Sequence, residues 1–355
     1  MSNLLVWLLR GLLALCLQLR YPAVRFQKEE SVRKDPAYAV YETYRYAYER
    51  YGYLFSYAEK TEEKENTASD GTEAVQAGAE NMLSAASLAR LQDYDYLMKQ
   101  YFSVHASTTA ERSLMKAERL LETDVGLTKN PDEPQILIYH THASETYADY
   151  GPQNTDADVV GAGTYLTELL RQRGWNVIHD TTAYDRKEGK LERSRAYTYA
   201  LEGVQGILQT HPTIEVVLDL HRDGVADSVR LMENINGKPT AQIMFFQGMS
   251  RTPEGEIAYL PNPHLQENLA FCFQMQLACG RYPGFARKIY LKGLRYNLHL
   301  RGRSSLIEAG AQTNTKEEVW NAGARSGDAE IDMEEFTHAE TTVIRSCKEP
   351  EKMIS

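Results

Sequence analysis

Two histidines and a glutamate follow an apolar run of strand character near the middle of the chain. Residues 135–139 read Gln-Ile-Leu-Ile-Tyr, and His140, His142 and Glu145 come directly after them. His140 and His142 are two residues apart, so on an extended backbone they share a face. Imidazole and carboxylate groups at one strand end are the ligand types of a Zn²⁺ site. Taken alone, this motif fits either a metal site or a polar exit from a strand.

Two further apolar runs end in the same kind of residue. Asp219, His221 and Asp223 alternate at the end of the second run, so their side chains share one face. A buried strand of a parallel sheet reads as a continuous apolar run, and its carboxyl end is the usual place for a site. The third run, 304–308, ends in Glu308. Three strands that each deliver such a group to their ends predict a metal hydrolase.

Length, composition and charge limit the other possibilities. The chain has 355 residues, of which 43% are hydrophobic, so it can form a substantial core. Its net charge is −10 and it has no long basic stripe, which argues against a nucleic-acid partner. The four cysteines form neither a CxxC pair nor a regular framework. No nucleophile elbow, phosphate-binding loop or dinucleotide fingerprint is present.

The chain divides into five predicted segments. Residues 1–20 are strongly apolar and predict a membrane anchor or signal-anchor, with an interfacial or buried helix as the alternative. Residues 21–84 hold a tyrosine-rich helix and an acidic linker that has little to bury. Residues 85–130 form a lead-in segment, 131–330 the catalytic domain, and 331–355 a C-terminal tail.

Strand and helix patterns alternate through the catalytic domain. This order predicts an α/β fold with a mostly parallel, twisted sheet and helices on both faces, preceded by a helical, partly disordered N-terminal region. The predicted elements are strands at 135–142, 175–178, 215–221 and 305–308, helices at 158–173, 192–210 and 265–279, and a helix that starts at Asn314 or Thr315. Asn236-Gly237 predicts the turn of a β-hairpin between 229–234 and 241–246.

The lead-in segment has patterns of its own. Residues 96–104 predict a strand, and 108–121 predict a helix. Thr108 and Glu111 have the spacing of a capping box, which supports a helix start at Thr108.

Three motifs together resemble those of a known family over roughly residues 85–330. The motifs Tyr139-His140-Thr-His142-x-x-Glu145-Thr-Tyr147 and Asp219-Leu-His221-Arg-Asp223-Gly look like the stage II sporulation protein P family of cell-wall hydrolases. The motif Leu306-Ile-Glu308-Ala-Gly310-x-x-x-Asn314 resembles the last motif of the broader zinc-dependent N-acetylmuramoyl-L-alanine amidases. The resemblance implies an amidase-like fold.

The resemblance also implies an activity, a place and partners. It implies a zinc-dependent amidase that hydrolyses peptidoglycan at the amide between N-acetylmuramic acid and L-alanine, with or without cleavage of peptide cross-links. It implies wall remodelling at the septum during engulfment in sporulation. A single N-terminal anchor would hold the catalytic domain outside the septal or forespore membrane. The implied partners are a lytic transglycosylase and a polytopic membrane protein of the engulfment machinery.

The family pattern suggests roles for the candidate residues. His142, Glu145 and His221 would bind Zn²⁺ and leave a fourth position open for water, as in catalytic zinc sites. Glu308 would take a proton from that water and hand it to the leaving amine. The broader amidases carry Gly-His-Gly after the first strand, whereas this chain has His-Thr-His, so His140 stays open as a ligand. The proximity of Glu145 favours His142.

Three residues around His221 receive supporting roles. Either Asp219 or Asp223 would orient the imidazole of His221 through its other ring nitrogen. Arg222 has two interpretations: it pairs with a carboxylate of the substrate peptide, or it forms a surface salt bridge.

Three other functions fit the same residues. A metallo-carboxypeptidase or pure endopeptidase would use the same ligands and differ in the shape of its pocket. A non-catalytic module that binds the wall or a partner would have no use for a base such as Glu308. A metal-free hydrolase would be indifferent to chelators.

Overall fold

The computed structural model describes residues 85–325. These residues belong to one compact unit of the chain. The predicted anchor at 1–20, the region at 21–84 and the tail at 331–355 lie outside the described residues. Within 85–325, none of the helices combines the length and apolar character that crossing a bilayer requires.

The strands are short, and most belong to one sheet. In chain order they are β1 (Phe102–Val104), β2 (Ile136–Tyr139), β3 (Val177–His179), β4 (Arg186–Lys187), β5 (Lys190–Leu191), β6 (Val216–Asp223), β7 (Met232–Ile235), β8 (Lys238–Ala241), β9 (Ile243–Gly248), β10 (Arg251–Thr252), β11 (Gly255–Glu256), β12 (Ile289–Lys292) and β13 (Ser304–Ala311). The helices are α1 (Ala85–Leu91), α2 (Tyr94–Tyr101), α3 (Ala117–Glu122), α4 (Val159–Gln172), α5 (Ala196–Thr210), α6 (Leu265–Cys279) and α7 (316–325).

The central sheet has seven strands in the order β1-β12-β9-β13-β6-β2-β3. Strands β13, β6, β2 and β3 run parallel to one another. Strand β9 pairs antiparallel with β13, and β12 and β1 then run parallel to β9. One antiparallel pair therefore joins two parallel groups, and the predicted α/β fold with a mostly parallel sheet is confirmed.

The three motif-bearing strands are neighbours, in the order β13-β6-β2. Each is almost wholly buried, because parallel strands at a sheet centre are covered on both faces. In register, Tyr139 lies opposite Asp219, and His221 lies opposite Glu308. The parallel direction brings all three carboxyl ends to one edge of the sheet, as the sequence predicts.

Alternate residues of these strands enter two different cores. Ile136 and Leu220 pack with helices α4 and α6, and this side is called the α4/α6 face below. Leu137, Tyr139 and Val217 pack with helix α5 on the other side, the α5 face. The period of two in a strand makes this division, so it also decides which face each functional side chain occupies.

Helix α4 follows the prediction closely. It begins after Asp158, whose side chain accepts a hydrogen bond of 2.8 Å from Gly161 N, a standard N-cap contact. It ends before Gly174, which has a φ of +91°, the left-handed conformation that commonly stops a helix. Leu166 and Leu170 are buried against the sheet, and burial of such a side chain stabilises the fold by about 1.5–3 kcal/mol.

The lead-in segment differs from its prediction in two places. Most of the strand predicted at 96–104 is helix α2, because Asp93 caps it with a hydrogen bond of 2.9 Å from Tyr96 N; only Phe102–Val104 is extended. The helix predicted from Thr108 starts only at Ala117. The capping box does not form, and the Glu111 carboxylate pairs instead with the side chain of Arg251.

The predicted hairpin forms, with a different second strand. Asn236 and Gly237 have φ values of +53° and +79°, as a two-residue hairpin turn requires. The second strand of the hairpin is β8, whereas 243–248, which includes most of the predicted partner strand, is β9 of the central sheet.

Candidate active site

Residues from three strand ends come together on the α5 face. The rings of His142 and His221 lie 5.3 Å apart between centroids and are nearly perpendicular. Glu145 Oε2 lies 3.6 Å from His221 Nδ1. Glu308 is the cross-strand neighbour of His221, so the two side chains leave the sheet on one face. The structure thus assembles two imidazoles and two carboxylates at the carboxyl edge of the sheet.

Asp219 fixes the ring of His221 from the opposite side. Asp219 Oδ1 lies 2.8 Å from His221 Nε2, but the oxygen is displaced from the line along which the ring N–H points. The same carboxylate accepts hydrogen bonds from Thr141 N at 2.8 Å and Thr141 Oγ1 at 2.6 Å. Burial alone would raise the pKa of Asp219, but His221 and Thr141 hold it below its ordinary value. Asp219 is thus charged, and the Nδ1 edge of His221 is left facing Glu145.

The two histidines of the site have opposite protonation tendencies. Burial lowers the pKa of His221, but Asp219, Glu145 and Glu308 outweigh it and raise this pKa to about 9. The pKa of His142 lies well below its ordinary value, because of burial first and the charge of His221 second. At neutral pH and without metal, His142 is therefore a neutral imidazole, which is the form that binds metals. His221 is protonated in that state, so a metal that binds its Nδ1 displaces a proton.

The donor groups fit a zinc ion. Two imidazoles and a carboxylate are a common catalytic zinc set. His142 Nδ1 is buried and makes no hydrogen bond to any of the described residues, so a nitrogen at the site has no protein partner. Within residues 85–325, no group of three or more His, Cys, Asp or Glu side chains is positioned to hold a metal ion. The fit therefore rests on the chemistry of the donors and on this nitrogen of His142.

His140 occupies the other face of the sheet. It is wholly buried, with Nδ1 2.9 Å from Leu220 O and Nε2 2.8 Å from His179 Nε2. Gly163 of α4 lies against this pair, since a Cβ there would come within 2.7 Å of both rings. Both nitrogens of His140 thus have partners beneath α4, and the geometry favours His142 as the ligand.

Arg222 supports the site through its backbone and through carbonyl groups. Arg222 N donates to Glu145 Oε2 at 3.1 Å. Its guanidinium donates to Thr146 O at 3.1 Å and to Asp223 O at 3.2 Å. Neither contact is a salt bridge, and the guanidinium ties the strand end of β6 to the loop after β2.

Asp223 is turned towards a different partner. Its Oδ2 lies 3.0 Å from Arg287 Nη1, and Oδ1 accepts from Gly224 N at 2.7 Å. Of the two carboxylates considered for orienting His221, Asp219 therefore has the contact.

A bulge after Glu308 explains the spacing of the last motif. The pairing of β13 with β6 shifts between Glu308 and Ala311, and Gly310 has a φ of +63°. A Cβ at Gly310 would meet Asn314 Oδ1 at 2.9 Å, so glycine is needed for its conformation and for space. Asn314 Oδ1 accepts from Ala311 N at 2.9 Å. The glycine and the asparagine together hold the strand end that carries Glu308.

Two side chains near the site were not singled out from the sequence. Tyr197, at the start of α5, lies 5.6 Å from the ring of His142 between centroids. Arg193 Nη1 lies 3.5 Å from Glu145 Oε1. Both belong to a segment far along the chain, and no spacing in the sequence links them to the strand-end motifs.

The sequence is similar to a known family and to a curated protein. The family model described as Stage II sporulation protein P (SpoIIP) matches residues 29–325. The Stage II sporulation protein P of Bacillus subtilis (strain 168) is 25% identical over 218 residues, which cover 57% of this chain and 51% of the relative. The chain thus spans about half the length of the curated relative that it matches.

The chain has a weak similarity in structure to two solved amidases. N-acetylmuramoyl-L-alanine amidase AmiC2 of Nostoc punctiforme is 11% identical, with a TM-score of 0.36 over 58% of this chain and 98% of that one. The CwlD amidase from Clostridioides difficile, solved in complex with the GerS lipoprotein, is 15% identical, with a TM-score of 0.35 over 59% and 99%. These likenesses are too distant to bear on the activity. The family match covers most of the chain, which therefore belongs to the stage II sporulation protein P family.

Proposed function

We propose that this protein is a zinc-dependent peptidoglycan hydrolase that cleaves the amide between N-acetylmuramic acid and L-alanine. The observation that carries the proposal is the cluster of His142, Glu145, His221 and Glu308 at one sheet edge. Membership of the stage II sporulation protein P family supports it. A buried pair of imidazoles beside two carboxylates is costly for a fold to maintain, and a hydrolytic centre gives it a use.

Each residue of the cluster has a role in this proposal. His142, Glu145 and His221 would hold the zinc ion, with Asp219 keeping His221 in position. When bound, zinc supplies a Lewis acid that polarises the scissile carbonyl and increases the acidity of water.

Glu308 carries the proton. It accepts a proton from the attacking water as the new C–O bond forms. It then delivers that proton to the amide nitrogen as the C–N bond breaks. These two transfers give a carboxylic acid on the sugar and an amine on the peptide, and the second proton of the water then passes from the acid to the amine. The products are a carboxylate and an ammonium group, so atoms and charge balance.

The setting of the reaction is part of the same proposal. The support is membership of the family, and it extends to wall remodelling during engulfment, cleavage of peptide cross-links and a catalytic domain outside the membrane. The proposed partners are a lytic transglycosylase and a membrane protein of the engulfment machinery.

The test is a product analysis. The full chain, purified with zinc, is incubated with isolated peptidoglycan, and the products are identified by mass spectrometry. Intact stem peptides with L-alanine amino termini, absent with a chelator and restored by zinc, would support the proposal. New termini only within the peptides would favour the endopeptidase. No products in this assay, or in one that uses glycan strands pre-cut by a lytic transglycosylase, would favour the binding module.

A further inference from the structure

Arg193 lies at the mouth of the site. It starts a short 3₁₀ turn, Arg193–Arg195, directly before helix α5. Its Nη1 is 3.5 Å from Glu145 Oε1, and its side chain is 34% exposed whereas that of Glu145 is 7% exposed. The guanidinium therefore sits between a buried carboxylate and the solvent.

Only the Oε1 atom of Glu145 contacts Arg193, through a long hydrogen bond of 3.5 Å. Its Oε2 accepts from Arg222 N at 3.1 Å and lies 3.6 Å from His221 Nδ1. The contact with Arg193, at 3.5 Å, is longer than an ordinary N–H···O bond. A guanidinium has five N–H donors, so most of the donating capacity of Arg193 is left for another acceptor.

Two other guanidinium groups near the site contact protein oxygens. Arg222 donates to Thr146 O and Asp223 O. Arg287 pairs with Asp223 Oδ2 at 3.0 Å. Arg287 Nε and Nη2 have no hydrogen-bond partner among the described residues, but both atoms are buried. The Arg193 side chain is 34% exposed and contacts Glu145, so it is the guanidinium that an entering peptide meets.

The sequence around Arg193 favours an anionic ligand. Residues 186–195 read Arg-Lys-Glu-Gly-Lys-Leu-Glu-Arg-Ser-Arg, with five basic and two acidic side chains, in a chain of net charge −10. This segment is held beside the site, since Asp185, just before it, accepts a hydrogen bond of 3.1 Å from Ser144 N. A local excess of positive charge at the rim of a site steers anions towards it.

We propose that Arg193 is a specificity residue, whose guanidinium binds a free carboxylate of the peptide next to the scissile amide. The inference rests on the proposed function and names what the same site recognises. In a stem peptide the second residue is a glutamate joined through its side chain, so its α-carboxyl is either a free carboxylate or, when amidated, a neutral amide. Arg193 distinguishes the two, because a planar guanidinium matches a carboxylate with two parallel hydrogen bonds.

The test compares two synthetic muramyl peptides that differ only in this group. The full chain with zinc is expected to cleave the free acid with a kcat/KM at least about tenfold above that of the amide, mainly through a lower KM. Arg193→Gln should lose this preference by losing activity on the acid alone, and Arg193→Lys should restore part of it. Arg195→Gln, the matched control, should keep the preference, because its guanidinium lies 5.0 Å over the ring of Tyr199.

Two outcomes would overturn the inference. Equal activity of the unaltered protein on both peptides would show that the carboxylate is not read. An equal loss on both peptides in Arg193→Gln would show that Arg193 acts only on Glu145.

A binding measurement separates this inference from the proposed function. Calorimetry of the dipeptide product, as acid and as amide, needs no cleavage. Tighter binding of the acid that depends on Arg193, in a protein that cleaves neither substrate, would support the carboxylate site while the proposed function fails. Cleavage without any such difference in binding or rate would support the proposed function and overturn the carboxylate site.

Discussion

Asp219 decides which nitrogen of His221 faces the site. It approaches Nε2 and leaves Nδ1 towards Glu145. A carboxylate behind a histidine fixes the ring orientation and raises its basicity. The alternation of Asp219 and His221 already predicts one shared face. The choice of Asp219 over Asp223 depends on Arg287, which comes from a distant loop and which no local pattern points to.

Asp219→Asn is expected to weaken zinc binding by about 10–100-fold, since partners of ligand histidines usually have effects of this size. The amide keeps the shape of the carboxylate but removes its charge. The measurement is a competition titration with a chromogenic zinc chelator. Glu317→Asn, at an exposed position of α7, is the control and should bind zinc as the unaltered chain does. Unchanged affinity in Asp219→Asn would contradict the role of Asp219.

His142→Ala is expected to remove the stabilisation that zinc gives to the folded protein. A ligand at about 100 times its Kd stabilises the state that binds it by about 2.7 kcal/mol. The readout is the Tm with and without zinc. His211→Ala, which changes the C-terminal cap of α5, should keep the zinc-dependent rise. A full rise in His142→Ala would show that this residue is not a ligand.

Helix α4 sets the boundary between the site and the opposite face. The sequence predicts the caps of this helix and the alternation of side chains along β2. It does not predict which face of the sheet His140 and His142 reach, because that depends on where β2 ends. Because His140 follows Tyr139 directly, it keeps the strand alternation and turns under α4. His142 lies past the strand, and the loop returns it to the α5 face beside Tyr197. His140 and His142, although only two residues apart in the sequence, therefore lie on opposite faces of the sheet.

Gly163→Ala is expected to destabilise the protein, although alanine usually favours a helix over glycine by about 1 kcal/mol. The added methyl would come within 2.7 Å of His140 and His179. Gly206→Ala in α5 is the matched control, because a Cβ there meets nothing within 4 Å. It should stabilise the protein by about 0.5–1 kcal/mol. Denaturant unfolding measures both, and a stabilising effect of Gly163→Ala would contradict the close packing.

The buried histidines predict how stability changes with pH. Burial lowers the pKa of His179 to about 4, and burial with the charge of His179 lowers that of His140 to about 3. Their contribution is complete above the ordinary pKa of 6.5 and declines as the pH falls towards 4. His221 has the opposite sign: its pKa of about 9 gives a contribution that is complete below 6.5 and lost as the pH rises towards 9.

The metal-free protein should therefore be most stable near the ordinary histidine pKa. We expect the Tm, measured with a chelator present, to fall on both sides of that pH. His179→Gln should flatten the acid side and leave the alkaline side in place. If the Tm of His179→Gln falls with decreasing pH as steeply as that of the unaltered protein, the loss of stability at acid pH does not come from His179.

At the scale of the whole molecule, the order of the strands makes the site. The sequence predicts the strands, their apolar character and the sheet class, because these follow from local periodicity. It also predicts that the three motifs meet, because parallel strands share a carboxyl edge. The sequence does not predict the antiparallel pairing of β9 with β13, because the packed core decides how strands that are distant in the chain pair. The same limit applies to Arg193 and Tyr197, which a distant segment brings to the site.

The lead-in segment shows the opposite case, in which local patterns mislead. The Thr108–Glu111 spacing is that of a helix cap, but Glu111 is used by Arg251 from a distant hairpin. A local cap contributes only about 1 kcal/mol, so the packing of the whole fold decides whether it forms.

Glu308 is proposed to perform the proton transfers of a zinc-dependent amidase. The most direct measurement takes the full chain and its Glu308→Gln variant, each prepared with zinc. It determines bound zinc by mass spectrometry and the release of stem peptides from isolated peptidoglycan in the same samples. The account predicts one zinc per chain in both proteins and a loss of about 10²–10⁴-fold in the rate of release in the variant. A variant that releases stem peptides at the rate of the unaltered protein, or an active protein without zinc, would contradict it.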